Sequence, residues 1–336
     1  MDARKYKVID AVIIYFVALL AGSILVMFLK SDDSNFTIFA GYFITQACFL
    51  ASILLYSRYR KISLFYNIPF RRKPSAYETI TAIIVAICIF AFALLPILLY
   101  SWVMQKLGVA PKVSLPNLDS IGSKLIAMVI LCALPAVAEE FLVRGVFLSA
   151  FEKYGGVASL LFTASIFAFM HLHLMQIVHQ FIVGLVLAYI VLRTQKLTLA
   201  IIIHFVNNII ALFLPMVAPS VNNITLSAST FAILIPVMLS AFFLGICALR
   251  VLIRASLLQE KLKGIKDYLN LWKSAFLAFF NLFSRIFKPK GLANFAGDFT
   301  ATLPSKNANL TASTEWPVAL AFLIILAIMA TFTTFV

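Results

Sequence analysis

Two adjacent carboxylates and an arginine, Glu139, Glu140 and Arg144, close a run of apolar residues that extends from Leu125 to Val137. A charged side chain at the centre of a bilayer costs about 2.5–3.5 kcal/mol on insertion scales, so such a group needs a neutralising partner or a task. Successive helical residues point about 100° apart, and the two carboxylates therefore cannot do one job. Glu140 and Arg144 are four apart, share a helix face and can pair. Glu139 then points elsewhere and is left to act as a base. The plainer alternative is that all three lie at the cytoplasmic edge, with their charged ends reaching water.

All four histidines, His171, His173, His179 and His204, fall in the apolar runs that follow. Intramembrane ionisable groups point to function, so this concentration is the main functional signal in the chain. His171 ends the stretch Phe167-Ala168-Phe169-Met170-His171 and is expected inside an apolar helix, with Phe167 one turn earlier. His173 lies two residues on and faces roughly the opposite way, so the two cannot bind one metal ion from a regular helix. His179 reads as an outer-loop or helix-end residue. His204 and Asn208 share a helical face, where two donors could hold a developing oxyanion. The alternative for each histidine is a satisfied structural role. For Asn207, interhelical hydrogen bonding is the expectation.

Glu-Glu-x-x-x-Arg, then Phe-x-x-x-His, then His-x-x-x-Asn, with Gly145 after the arginine, resembles the CPBP (CAAX protease and bacteriocin-processing, Abi) family of intramembrane proteases. The likeness covers roughly Leu125–Leu214. It implies that Glu139 activates a water with the help of His171. It also implies that His204 and Asn208 stabilise the tetrahedral oxyanion, and that Glu140 and Arg144 support the first glutamate and its helix. The implied activity is that of an endopeptidase on a membrane-anchored or transmembrane substrate, prenylated or bacteriocin-like.

Two histidines and a glutamate could instead form a zinc site with an open position for water, and Glu139, His171 and His204 are the ligands that reading requires. There is no His-Glu-x-x-His motif, and a glutamate used as ligand cannot also be a free base. No required cofactor is therefore the expectation, with a divalent metal such as zinc as the alternative. Two readings from other classes are a non-catalytic immunity or scaffold protein that retains the motifs and a proton-coupled transporter. The transporter reading predicts internal repeat symmetry, which the sequence does not display.

The elements that must position these residues are membrane helices. Of 336 residues 63% are hydrophobic and 12% charged, with mean hydropathy +1.03; a soluble domain is about 45–50% apolar. The fold class expected is all-α, a polytopic transmembrane bundle, and the short alternating segments of a membrane β-barrel are missing. About nine spans are legible: Ile9–Leu29, Phe36–Tyr56, Ile80–Tyr100, Leu125–Val146, Ser159–Leu174, Gln176–Leu192, Leu197–Leu214, Phe231–Ile253 and Trp316–Phe335. With the N-terminus in the cytoplasm, the inner segments hold 22 basic residues and the outer loops hold 4. That asymmetry is the positive-inside pattern, so the net charge of +14 reflects topology rather than nucleic-acid binding. The expected location is a membrane, the plasma membrane if the source is bacterial. The basic start, Met1–Lys7, precedes a run long enough to stay as an anchor. The 4 cysteines lie apart in apolar runs, without metal-binding spacing.

The expected organisation is N-terminal spans at 1–124, catalytic core helices at 125–214, a further span at 215–253, a basic amphipathic segment with linker at 254–315, and a last span at 316–336. Between Arg254 and Lys290, apolar residues from Leu258 to Ile286 recur every three or four positions, opposite Lys261, Lys263, Lys266, Lys273, Arg285, Lys288 and Lys290. Such a helix would lie on the cytoplasmic membrane surface and bind anionic lipid through residues 254–290. The alternative is packing against the protein's own loops. Gly291–Glu315 reads as a flexible linker.

Overall fold

Apolar runs opened by serine caps form the long helices of the computed structural model, which describes residues 5–29, 34–64, 68–69, 73–109, 116–217, 227–258, 262, 264–286 and 315–335. The linker expected at Gly291–Glu315 lies outside these residues except for Glu315, as do Lys261, Lys263, Lys288 and Lys290. The helices are α1 (Val8–Val26), α2 (Asn35–Tyr59), α3 (Ala76–Lys106), α4 (Ile121–Tyr154), α5 (Gly156–Phe169), α6 (Ile177–Thr194), α7 (Leu197–Val217), α8 (Ala228–Leu257), α9 (Ile265–Ile286) and α10 (Trp316–Phe335). No strand occurs among the described residues. Ser34, Ser75, Ser120 and Ser227 each accept a backbone N–H of the first turn of α2, α3, α4 and α8. At α3, Glu78 returns a bond to the Ser75 N–H, which completes a capping box.

Among the described residues seven helices are long and apolar enough to cross a membrane, and Gly156–Phe169 and Trp316–Thr331 are apolar but shorter. α5 has 14 residues, a rise of about 21 Å against a hydrocarbon core of about 30 Å. The chain reverses directly after it, with Leu172 at φ 51°. His171 therefore sits on a tight turn, not within a helix as the sequence suggested.

α4 is longer than the span Leu125–Val146 expected for it. Its C-terminal end is Tyr154, 15 residues beyond Glu139, or about 22 Å along the axis. The carboxylate pair thus lies near the middle of the helix rather than at its edge.

α1 and α2 form a hairpin fastened by buried polar groups. Asp10 is fully buried; it accepts the Tyr56 hydroxyl at 2.7 Å and lies 3.4 Å from the Arg60 guanidinium. Tyr6 and Ser57 share a hydrogen bond of 2.6 Å. α10 packs over α4: Phe322 stacks on Phe147 of α4 at 5.4 Å and meets Tyr15 of α1 edge-on at 5.4 Å.

α9 does not lie alone on a surface. It returns antiparallel along α8, with Phe279 against Phe243 at 4.5 Å and Tyr268, Leu271 and Ala275 buried with Cys247, Val251 and Ala255. Tyr268 also stacks on Tyr77 of α3 at 4.8 Å and bonds Thr81 at 2.6 Å.

Candidate active site

The middle of α4 departs from regular α-helix on both sides of the glutamates. The i→i+5 pattern runs over Met128–Ala133 and again over Phe141–Phe147. Pro135 has no N–H to give and its ring crowds the carbonyl four residues back; the widened first segment absorbs both. Such wide turns occur most often at functional sites. In the second segment Gly145 lets another part of the chain come close, since a Cβ there would lie 3.1 Å from the Ile68 side chain.

Glu140 and Arg144 form the ion pair that their spacing allows. Both are fully buried, with Nη1 donating to Oε1 at 2.6 Å. Arg144 Nη2 donates to the Gly184 carbonyl at 3.1 Å, and the guanidinium lies 4.3 Å over the Phe167 ring. That reach depends on close helix packing: a Cβ on Gly184 would lie 3.0 Å from Ala164 Cα. Glu139 is 7% exposed, so none of the three charged ends reaches water, and the edge-lying alternative does not hold.

Phe167 fixes more than the arginine. Its carbonyl accepts from His171 Nδ1 at 2.7 Å, and its ring meets His171 and His204 edge-on at 5.1 and 5.3 Å. A carbonyl only accepts, so His171 carries a proton on Nδ1, and in the neutral ring its Nε2 is bare. Nε2 lies 3.8 Å from Glu139 Oε2. His204 repeats the arrangement with a carboxylate. Its Nδ1 donates to Glu140 Oε1 at 3.0 Å, the oxygen that also receives Arg144, while its Nε2 lies 3.9 Å from Glu139 Oε2. Two imidazole nitrogens from different elements thus face one carboxylate oxygen at separations beyond a direct hydrogen bond.

Asn208 does not join this group directly. Its amide donates to the Cys132 carbonyl of α4 at 3.4 Å. Asn207, one residue earlier, is the more buried of the two, and its side chain interacts with His179 of α6. His173 caps the short turn Leu174–Gln176 by accepting the Met175 N–H at 3.3 Å. His179 lies in the first turn of α6, edge-on to Phe90 at 6.0 Å and beside the Asn207 side chain.

The sequence reading missed Gln46. It is 5% exposed in α2, and its Nε2 donates to Glu139 Oε1 at 2.9 Å. An amide inside the otherwise apolar run Phe36–Tyr56 was the available signal, because a buried polar group in a membrane span needs a partner.

Among the described residues no group of three or more His, Cys, Asp or Glu is arranged to hold a metal ion. Glu139, His171 and His204 converge, but not as a preformed ligand set.

Residues 121–210 match the family model described as type II CAAX prenyl endopeptidase Rce1-like. No curated protein and no solved structure matches the chain. The matched stretch contains α4, α5, α6 and most of α7, which carry Glu139, Glu140, Arg144, His171, His204 and Asn208. Within a chain that has seven candidate membrane spans among its described residues, this stretch is similar to a type II CAAX prenyl endopeptidase Rce1-like domain.

Proposed function

We propose that this chain is a metal-independent intramembrane endopeptidase in which Glu139 activates water against a peptide bond of a membrane-associated substrate, prenylated or bacteriocin-like. The observation that carries the reading is the approach of His171 Nε2 and His204 Nε2 to Glu139 Oε2, at 3.8 and 3.9 Å. A water held between Glu139 Oε2 and His171 Nε2 gives its proton to the carboxylate as its oxygen attacks the scissile carbonyl. The tautomers suit this step, because Phe167 holds the His171 proton on the far nitrogen.

The developing oxyanion needs donors. His204 becomes one when it enters the cycle as the imidazolium, with a proton taken from solvent before substrate binds and kept through turnover, and its charge is compensated across Nδ1–H by Glu140. This is the logic by which a buried carboxylate supports an imidazolium in serine proteases. Asn208 supplies a second donor by leaving the long bond to Cys132. Glu139 then passes the proton to the departing amine. Electrostatic stabilisation of this kind is worth most where bulk water is excluded.

Nine crossings with a cytoplasmic N-terminus complete the proposal. Two lysines of the segments expected in the cytoplasm pair with acids from distant parts of the chain. Lys153 pairs with Glu315 at 2.7 Å, and Glu315 also accepts the Val8 N–H at 3.1 Å. Lys196 pairs with Glu78 at 2.6 Å, beside a bond from the Leu197 N–H to the Pro69 carbonyl. Positive charge at one end favours the cytoplasmic side. On α9, Lys266 and Lys273 flank Leu269, Leu277 and Phe280 on the exposed side, and this face is proposed to contact anionic lipid.

The test is cleavage of prenylated and unprenylated membrane peptides by the purified full chain in lipid nanodiscs, read by mass spectrometry. Glu139→Gln and His171→Ala are each expected to lower kcat by about 10²–10⁴-fold, the share a positioned base supplies. Activity should survive a strong chelator in metal-free buffer. Full activity of both variants at normal protein levels would overturn the catalytic assignment. Loss on chelation, restored by zinc, would overturn metal independence.

A further inference from the structure

Glu139 has two oxygens, and only Oε2 faces the histidines. Oε1 is held by Gln46 Nε2 at 2.9 Å, and this partner comes from α2, outside the family-matched residues 121–210. The amide can serve a carboxylate only through its nitrogen, so its orientation follows from its partner. Its own oxygen is buried without a hydrogen-bond partner.

We propose that Gln46 is a positioning residue for catalysis: its amide selects which Glu139 oxygen works and aims that oxygen at His171 and His204. The N-terminal hairpin thereby becomes part of the active site rather than a shield around it. The inference rests on the proposed role of Glu139 as base.

Three features make Gln46 suited to the task. A bond from an amide to a charged acceptor is stronger than a neutral one. The residue is 5% exposed, so water cannot replace the amide cheaply. Its helix is also locked to α1 through Asp10, Tyr56, Tyr6 and Ser57, which fixes the depth of Gln46 against α4.

The readout that a merely structural role would not move is the pH profile. An amide donor favours the charged carboxylate. Removing it moves the acid limb of kcat/KM to higher pH and lowers kcat at neutral pH. The other ionisable groups facing Glu139 are Tyr15 from α1, Tyr42 from α2, His171, His204 and, on its own helix, Glu140 and Arg144. None is altered in the variants below.

The experiment compares Gln46→Leu and Gln46→Glu with the parent and with Glu139→Gln, as full chains in nanodiscs on the same peptide. Gln46→Leu is expected to lower kcat by about 10–100-fold, the loss of one charge-assisted bond, with KM within about two-fold. Gln46→Glu, close to glutamine in size, sets a second carboxylate beside Glu139 and should push the acid limb further in the same direction. If Gln46→Leu does not fold, Gln46→Glu decides alone. A parental kcat and pH profile in a folded Gln46 variant, with Glu139→Gln inactive, would overturn the positioning role and leave the protease reading standing. An active Glu139→Gln would bring down the protease reading itself.

Discussion

The candidate site and α9 both combine charge with apolar surface, and they resolve the conflict in opposite ways. At the site the charges are inside. Glu140 and Arg144 are wholly buried, and each has partners from other helices: Arg144 reaches Gly184, and Glu140 takes His204. On α9 the charges are outside. Lys266 and Lys273 are exposed, while Tyr268, Leu271 and Ala275 are covered by α8 and α3. A buried charge is tolerable only when its neighbours are geometrically committed to it. An exposed one needs no such commitment, and its contribution is small and additive. The first arrangement suits chemistry that needs fixed positions. The second suits contact with a fluid surface.

That contrast can be broken from either side. The largest stability effect is expected at Arg144. Arg144→Ala leaves the Glu140 carboxylate buried without its guanidinium, a change that costs about 3–5 kcal/mol; thermal unfolding in detergent should show it, and unchanged unfolding would mean the pair is not committed. Gly184→Ala comes next. Its new Cβ meets the α5 backbone at Ala164, at 3.0 Å from Cα and 3.2 Å from the carbonyl oxygen. Overpacking of this kind costs about 1–3 kcal/mol. The same shift would withdraw the carbonyl from Arg144, so activity should fall along with stability.

The smallest effect belongs to α9. Lys266→Glu with Lys273→Glu should change stability by no more than about 0.5 kcal/mol, as for exposed positions in general. Each lysine contributes about 1 kcal/mol to attraction by an anionic membrane surface. Enrichment of phosphatidylserine around the protein should therefore drop in the double variant and stay unchanged in a neutral bilayer. A double variant that unfolds would show α9 to be built like the site.

Much of the site was legible because its residue types are costly where they stand. Acids, an arginine and histidines in apolar runs need a reason, and the four-residue spacing of Glu140 and Arg144 was enough to pair them. Spacing along one helix could not reach contacts between helices. His204 meets Glu140 across 64 positions, and Gln46 meets Glu139 across 93. Asn208 illustrates the same limit in reverse: the shared face with His204 was readable, but its engagement with the Cys132 carbonyl depends on how α4 widens after Met128. The extents of α4 and α5 were also misjudged, since hydropathy fades gradually while a helix ends where capping and chain reversal end it.

By itself the sequence determined a helical membrane protein, the family-like order of its three motifs and the neutralising pair in α4. Hydrophobic period and local spacing are enough for these, because a helix fixes which near neighbours share a face. Only the tertiary structure decided which oxygen of Glu139 faces the histidines, which nitrogen each histidine presents, and that α2 holds the Glu139 carboxylate from outside the matched stretch. Those choices rest on hydrogen bonds between chain-distant groups in a buried space, where partner and direction are set by how whole helices pack.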